Sequence, residues 1–121
     1  MINLKPQIKQ ALERNQELVS LLGGNRIYQL TAPNKTEFPR ITYFELVNRD
    51  AGFADDQSIS SHIMFQISIW SDEAKHLSLL GNQIDLSMKS LGFSRIFSTD
   101  FYEEDTQIFH RPMRYRKLEV L

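Results

Sequence analysis

The segment from His62 to Trp70 has the pattern of a buried strand. Its side chains alternate between two faces, which is the period of an extended chain. One face carries Ile63, Phe65, Ile67 and Ile69, and the other carries Met64, Gln66, Ser68 and Trp70. Because neither face is strongly polar, we predict a central strand that is buried on both sides.

A helix pattern follows this strand directly. Ser71 and Asp72 supply acceptors for the free N–H groups of a helix start. Apolar residues then recur at steps of three and four as far as Gly92, which suits a left-handed helix end. These residues are Leu77, Leu80, Ile84, Met88 and Leu91. We predict an amphipathic helix that lies back on the sheet.

The rest of the chain divides into a helix, further strands and turns. A helix is predicted over 4–22, with Asn3 as its N-cap and Gly23-Gly24 as its end. A short strand over 26–30, a loop over 31–38 and a second strand over 40–47 come next. After the central strand and helix, the pattern predicts a hairpin of strands 94–102 and 107–120 around the turn 103–106. The order is helix, three strands, helix, two strands.

Composition limits the class of protein. A chain of 121 residues can bury a sizeable core as a single domain over 1–121. It has no cysteine, a formal net charge of −1, no signal-peptide pattern at its start and no later stretch apolar enough to span a membrane. We expect a soluble protein made in the cytoplasm, with no membrane partner and no general attraction to nucleic acid.

The segment 48–61 is polar and has no clear period, so it is predicted to be a long loop. Loops of this length in a compact domain are usually functional or disordered. It contains Phe53 and Ile59 as large apolar residues and Asp55 and Asp56 as adjacent carboxylates. The two apolar side chains either fold back on the core or contact a partner.

The residues that could carry chemistry do not form a recognisable catalytic, metal or cofactor motif. His62, His76 and His110 are scattered and lack a second ligand at metal-binding spacing. An acid/base pair needs one carboxyl shielded from solvent, so that its pKa differs from that of the other. The carboxylates of this chain lie in turns, where both would be solvated. A small hydrolase or nuclease that uses His62 or His110 stays an alternative, which alanine substitution at either residue would test.

The strongest basic cluster is Arg111, Arg114, Arg116 and Lys117, near the end of the chain. Cross-strand pairing with the nearby carboxylates is one interpretation, and a contact with a partner chain is a second. A third is a single-stranded nucleic-acid site, since Phe109 and Tyr115 lie nearby. Pro112 lies in the same strand and predicts an edge strand or a bulge there.

Four stretches, taken in this order, resemble the tail-completion proteins of long-tailed phages, which are tail terminator or tail-to-head joining proteins of virions and prophages. They are the Leu-Leu-Gly-Gly-Asn-Arg-Ile-Tyr run that begins at Leu21, Phe38–Tyr43, Phe65–Ser71 and His110–Arg116. The resemblance implies an α+β domain, with two helices packed on a mainly antiparallel sheet of four to five strands.

The resemblance also implies a function. Such proteins are not enzymes and use no cofactor; they form a hexameric ring on the finished tail tube, stop its growth and present a surface to the head connector or stopper protein. DNA passes through the lumen without specific binding. The expected subunit or partner contacts are Phe53, Asp55, Asp56 and Ile59, with Arg111, Arg114 and Arg116 as second candidates. A head-side stopper and a single-stranded nucleic-acid module are the alternatives.

Overall fold

A computed structural model of the chain describes residues 1–120. Its elements in chain order are α1 Lys5–Arg14, α2 Gln16–Leu22, β1 Ile27–Gln29, β2 Arg40–Ala54, β3 Gln57–Ser71, α3 Lys75–Ser90, β4 Ser94–Ser98, β5 Phe101–Glu103 and β6 Ile108–Val120. The predicted α+β class is confirmed. The counts differ, because the structure has three helices and a six-stranded sheet.

The strand over 62–70 is confirmed as the centre of the sheet, but burial on both sides is wrong, because Met64, Gln66 and Trp70 on its second face are only half-buried. The sheet order is β1-β2-β3-β6-β4, β5 also pairs with β6, and every pairing except that of β1 with β2 is antiparallel. Ile63, Phe65, Ile67 and Ile69 are fully buried and pack with the three helices in one core. We call this side of the sheet the helix face and the opposite side the outer face.

The predicted helix over 4–22 is wrong in one respect, because the structure breaks it at Asn15 into α1 and α2. The Asn15 side chain accepts a hydrogen bond from the Leu18 amide (3.0 Å) and so caps α2. Its Nδ2 donates to Gln83 O (3.1 Å) and Ser87 Oγ (3.0 Å) of α3. A residue that both caps one helix and binds another favours a joint over a continuous helix. Asn3 accepts a hydrogen bond from the Lys5 amide, although Leu4 is the capping residue.

The start of α3 lies later than predicted. The helix begins at Lys75, and the Ser71 hydroxyl accepts a hydrogen bond from the Glu73 amide (3.1 Å) just before it. The same hydroxyl lies 2.6 Å from Nδ1 of His76. At the other end, Gly92 has a φ of 87°, which confirms the left-handed residue predicted there.

The predicted loop over 48–61 is wrong. The structure continues β2 to Ala54 and begins β3 at Gln57, so both strands are 15 residues long and a two-residue turn joins them. The pattern was missed because polar side chains occupy this part of both strands. Strand β6 reaches only as far as Ser60, so the end of the hairpin extends beyond the rest of the sheet.

The predicted strand over 94–102 is also broken. It forms β4 and β5, both paired with β6, and 99–100 lies between them. Pro112 is neither on an edge strand nor at a bulge of β6, because β6 pairs with β3 on one side in an unbroken register and with β4 and β5 on the other. It lies instead opposite the gap between β4 and β5, since β5 pairs with 108–110 and β4 with 113–116. The gap tolerates a residue that has no N–H group.

Helix α3 is attached to the sheet through a polar cluster that centres on the buried Tyr115. The Tyr115 hydroxyl donates a hydrogen bond to Asp85 of α3, and Arg95 Nε lies 3.3 Å from the same carboxylate. Burial and the Asp85 hydrogen bond raise the pKa of Tyr115 well above its usual range. The phenol therefore stays protonated and donates at physiological pH.

Candidate interaction surfaces

The end of the β2–β3 hairpin carries four of the predicted contact residues. We call residues 51–59 the hairpin tip. Asp55 and Asp56 form its two-residue turn with φ of 52° and 63°, which is the backbone of a type I′ turn. Phe53 is 64% exposed and Ile59 is 46% exposed. Within the described chain these side chains do not fold back on the core.

The strands of the hairpin tip are held by their own hydrogen bonds. The Ser60 hydroxyl donates to the carbonyl of Ala51, and the Ser58 hydroxyl donates to Ser60 O (2.8 Å). Gly52 has a φ of 66°, and a Cβ there would lie 2.7 Å from Ser60 Oγ. The tip is therefore an ordered surface that presents two apolar side chains and two carboxylates to solvent.

Arg111 is engaged inside the molecule. Its Nε lies 2.7 Å from Asp100 Oδ1, and its Nη1 donates to Leu77 O of α3 (3.0 Å). A Cβ added at Gly81 would lie 2.7 Å from Nη1. Arg111 therefore ties β6 to α3, and this glycine leaves the room that the guanidinium occupies.

Arg114 and Arg116 lie on the outer face and are exposed. Arg114 Nε donates to Gln66 Oε1 (3.1 Å), and its guanidinium lies 5.1 Å from the centre of the Phe97 ring. Arg111, by contrast, lies on the helix face, so the sheet separates the three arginines that the sequence places together.

A pocket that the sequence did not predict lies at the opposite end of the β2–β3 hairpin from the tip. It has a volume of about 470 Å³. We call it the Arg40 pocket; its lining includes Leu30, Lys35, Arg40, Trp70, Glu103 and Ile108. Arg40 and Trp70 are register partners at the start of β2 and the end of β3. The only signal in the sequence was an arginine between apolar neighbours in Phe38–Phe44, and the pairing that brings Trp70 to it is not readable from that segment.

A family model described as "Tail completion protein gp17" matches residues 6–118 of the chain. This chain belongs to the tail completion protein gp17 family. The family is structural rather than enzymatic, and the resemblance found in the sequence is confirmed. As a tail completion protein, the chain is a structural component of a virion.

A solved structure has the same fold as this tail completion protein. It is a chain from "Virion of native gene transfer agent (GTA) particle", with a TM-score of 0.65 and 14% sequence identity. The match covers 93% of this chain and 90% of that chain. None of the curated proteins matches. The low identity means that this likeness shows the fold alone.

The three histidines of this tail completion protein lie apart. His62 is within β3, His76 is at the start of α3, and His110 of β6 stacks on Trp70 with ring centres 3.7 Å apart. The His76 side chain is only 15% exposed, because it packs at the start of α3 within hydrogen-bond distance of the Ser71 hydroxyl. Burial lowers the pKa of His110, with Glu103 acting in the opposite direction. Within residues 1–120, no group of three potential ligands is placed to hold a metal ion.

The helices of this tail completion protein can be compared with the length and apolar character that a membrane-spanning helix needs. In the part of the chain that the structure describes, none is long and apolar enough to cross a membrane.

Proposed function

We propose that this tail completion protein caps the finished tail tube and joins it to the head connector. It would act at the tail–head junction of the virion after assembly in the host cytoplasm. The family match over 6–118 supports a role in completing the tail. The surfaces of the structure are consistent with a protein that works by contact, because its exposed features are a protruding apolar and acidic tip and a pocket.

The observation that carries the proposal is the unlike character of the two ends of the β2–β3 hairpin. One end presents Phe53, Ile59 and two carboxylates, and the other presents the Arg40 pocket. A contact between unlike patches repeats from copy to copy and closes into a ring where the rotation allows. We propose a ring of this kind, a hexamer as in the resemblance, on the end of the tube.

The other partners of the ring would be the tail tube protein on one side and the head connector or stopper protein on the other. The exposed Arg114 and Arg116 of the outer face are candidates for one of these contacts. The genome would pass through the lumen without specific binding. A formal net charge of −1 supports passage, because such a chain has no general attraction to DNA.

Reconstitution tests this function. Purified protein is added to heads and tails from a lysate that lacks the gene; joined particles are counted by electron microscopy and infectivity is titrated. We expect joining and infectivity to be restored, and tails made without the protein to vary in length. Joining that occurs equally without the protein would refute the proposal. Sedimentation with tails alone and with heads alone separates a tail cap from a head-side stopper.

Single-stranded nucleic-acid binding has one observation in its favour, although Tyr115, one of the two rings expected to serve it, is fully buried. Arg114 lies over Phe97 on the outer face, with Arg116 in the same strand and Phe101 and Trp70 on neighbouring strands, and basic groups beside aromatic rings suit unpaired bases. Binding of this kind falls steeply as salt is added. A labelled oligonucleotide that shows no binding at low salt would eliminate it.

A further inference from the structure

The guanidinium of Arg40 is a buried charge that makes no direct ion pair, although the carboxylate of Glu37 acts on it from a longer distance. The residue is only 7% exposed, and its Nη1 donates to Lys35 O (3.0 Å) and Glu37 O (3.3 Å). The guanidinium lies 4.8 Å from the centre of the Phe38 ring and 5.4 Å from that of Trp70. Among residues 1–120, no carboxylate lies within ion-pairing distance of it.

A buried guanidinium that makes no ion pair within its own chain favours binding of a carboxylate from another molecule. Buried charges in proteins are usually paired, because removing a charge from water is costly. A guanidinium has five N–H donors, and the two carbonyl contacts of Arg40 use one of its nitrogens. The remaining donors suit a carboxylate, which arginine binds through two parallel hydrogen bonds.

The Arg40 pocket has the size and lining for more than a single ion. Its volume of about 470 Å³ lies within the range of about 300–1,000 Å³ typical of ligand sites. Leu30, Trp70 and Ile108 supply an apolar wall, and Lys35 adds a second positive charge. The carboxylate of Glu103 at the rim accepts a hydrogen bond from Thr106 (3.1 Å). An occupant with both a carboxylate and an apolar group would match these walls.

The hairpin tip has both of these groups. Asp55 and Asp56 place two carboxylates at the end of the turn, and Phe53 and Ile59 flank them as exposed apolar side chains. Both aspartates have positive φ, as a type I′ turn requires, so the turn places both carboxylates at the very end of the hairpin. Between the tip and the Arg40 pocket lie strands of 15 residues, a span of about 50 Å at about 3.3 Å per residue. One copy therefore cannot fill its own pocket.

We propose that the hairpin tip of one copy docks in the Arg40 pocket of the next copy, with the Asp55–Asp56 carboxylates paired to Arg40 and Phe53 against the apolar wall. This inference rests on the proposed function, because it specifies the contact that builds the ring. The contact joins opposite ends of two copies, so it propagates in one direction until the ring closes.

Cross-linking tests the contact directly, because the chain has no cysteine of its own. The double variant Leu30→Cys with Ala54→Cys carries one thiol at the pocket and one at the exposed tip, and it keeps both carboxylates of the turn. A short bismaleimide is added to the purified, concentrated protein and to the protein bound on tails. We expect a ladder of covalent multimers from the double variant and nothing beyond a dimer from either single variant. Absence of a ladder in both preparations overturns the contact.

A second pair of variants tests the contact without a cross-linker. Asp55→Asn with Asp56→Gly removes both carboxylates and creates the residue pair that type I′ turns favour, so the hairpin should fold at least as well as before. Leu30→Glu places a like charge at the pocket mouth. We expect either change to weaken self-association on the order of tenfold to a hundredfold, as for loss of a charged hydrogen bond.

Leu86→Glu is the matched control. Leu86 is 62% exposed on α3, against 67% for Leu30, and lies outside the Arg40 pocket. It should leave self-association unchanged in analytical ultracentrifugation at several concentrations. Wild-type association of the Asp55→Asn, Asp56→Gly variant overturns the contact.

These results separate the contact from the proposed function. If the wild-type protein joins heads to tails but the double cysteine variant gives no ladder, the ring is built through another surface and the function stands. If a ladder forms but heads and tails join equally without the protein, the contact stands and the function fails.

Discussion

Asn15 separates α1 from α2, and the variant Asn15→Ala tests whether its hydrogen bonds stabilise this break. In the structure, Asn15 Oδ1 accepts a hydrogen bond from the Leu18 amide at 3.0 Å. Its Nδ2 donates to Gln83 O at 3.1 Å and Ser87 Oγ at 3.0 Å. Alanine would remove the cap of α2 and both contacts to α3 in one step.

The expected loss follows from these contacts. Removing an N-cap costs about 1 kcal/mol, and each side-chain hydrogen bond contributes about 0.5–1.5 kcal/mol. We expect Asn15→Ala to lower the free energy of unfolding by about 2–4 kcal/mol. For a chain of 121 residues, this corresponds to a fall in Tm of about 10 °C. In a continuous helix the sign would be opposite, because alanine exceeds asparagine in helix propensity by roughly 0.5 kcal/mol.

Two further variants separate the capping of α2 from the contacts to α3 and provide a control. Asn15→Asp keeps the acceptor that caps α2 and loses the donors to α3, so we expect a loss of about 1–2 kcal/mol. Gln16→Ala changes the exposed first residue of α2 and should stay within about 0.5 kcal/mol of wild type.

Urea denaturation followed by circular dichroism measures all three variants. The expected order of stability is wild type with Gln16→Ala, then Asn15→Asp, then Asn15→Ala. An Asn15→Ala protein as stable as wild type, or more stable, would refute the joint at Asn15 and favour a continuous helix.

Three other substitutions, two of them with a control, test which side chains lie in the core, which connect the sheet to α3 and which lie on the surface. Arg111→Ala removes the hydrogen bond to α3, and we expect it to lower the free energy of unfolding by about 1–2 kcal/mol in urea denaturation. The ion pair with Asp100 adds little to this figure, because that carboxylate is exposed. Its control, Arg116→Ala on the exposed side, should stay within about 0.5 kcal/mol of wild type. Ile67→Ala opens a cavity in a fully buried position of β3 and should cost about 2–5 kcal/mol, whereas Ile59→Ala in the hairpin tip should cost less than about 1 kcal/mol in the same assay. Tyr115→Phe should cost about 1–2 kcal/mol at pH 7, and less as the pH rises above 10. The folded-state pKa of Tyr115 is raised above its ordinary value of 10.0; the stability from this phenol is therefore complete below pH 10 and is lost as the unfolded chain deprotonates first.

Each of these predictions has an outcome that contradicts it. Equal losses for Arg111→Ala and Arg116→Ala would mean that the tie to α3 contributes nothing measurable. Similar losses at Ile67 and Ile59 would place the hairpin tip in the core. A cost of Tyr115→Phe that does not change between pH 7 and pH 11, measured as a difference from wild type, would remove the buried phenol as the titrating group.

The sequence predicted best those elements that have one buried face, because the spacing of their apolar residues marks that face. Along β3 the residues from Ile63 to Ile69 alternate because the helices cover one face, and α3 shows its period for the same reason. The pattern of β6 also matched, with Met113 and Tyr115 buried and Arg114 exposed. Local sequence carries this information because the side-chain period follows directly from strand and helix geometry.

The elements that were missed are those whose conformation depends on a distant partner. The hairpin tip pairs two polar strands in solvent beyond the end of β6, so no apolar period marks it. The joint at Asn15 exists because residues 83 and 87 of α3 accept its hydrogen bonds. The gap between β4 and β5 faces Pro112, which only the register with β6 reveals.

The candidate surfaces show the same division. The sequence marked Phe53, Asp55, Asp56 and Ile59 as contacts through their apolar and acidic types. The structure adds that the two aspartates share one tight turn and that the two apolar side chains beside it are exposed. Their contact role stays a prediction. The basic run near the end of the chain was one cluster in the sequence, but the alternation of β6 places Arg111 on the helix face and Arg114 and Arg116 on the outer face.

The sequence by itself determined the α+β class, the central strand and its following helix, and the resemblance to tail-completion proteins, because these depend on side-chain periods and on residues that are adjacent in the chain. The tertiary structure alone decided the Arg40 pocket. Arg40 and Trp70 are separated by the whole hairpin in sequence, and only the antiparallel register of β2 and β3 places them side by side. That register arises from the pairing of two 15-residue strands along their full length, a property of the folded sheet rather than of any one segment.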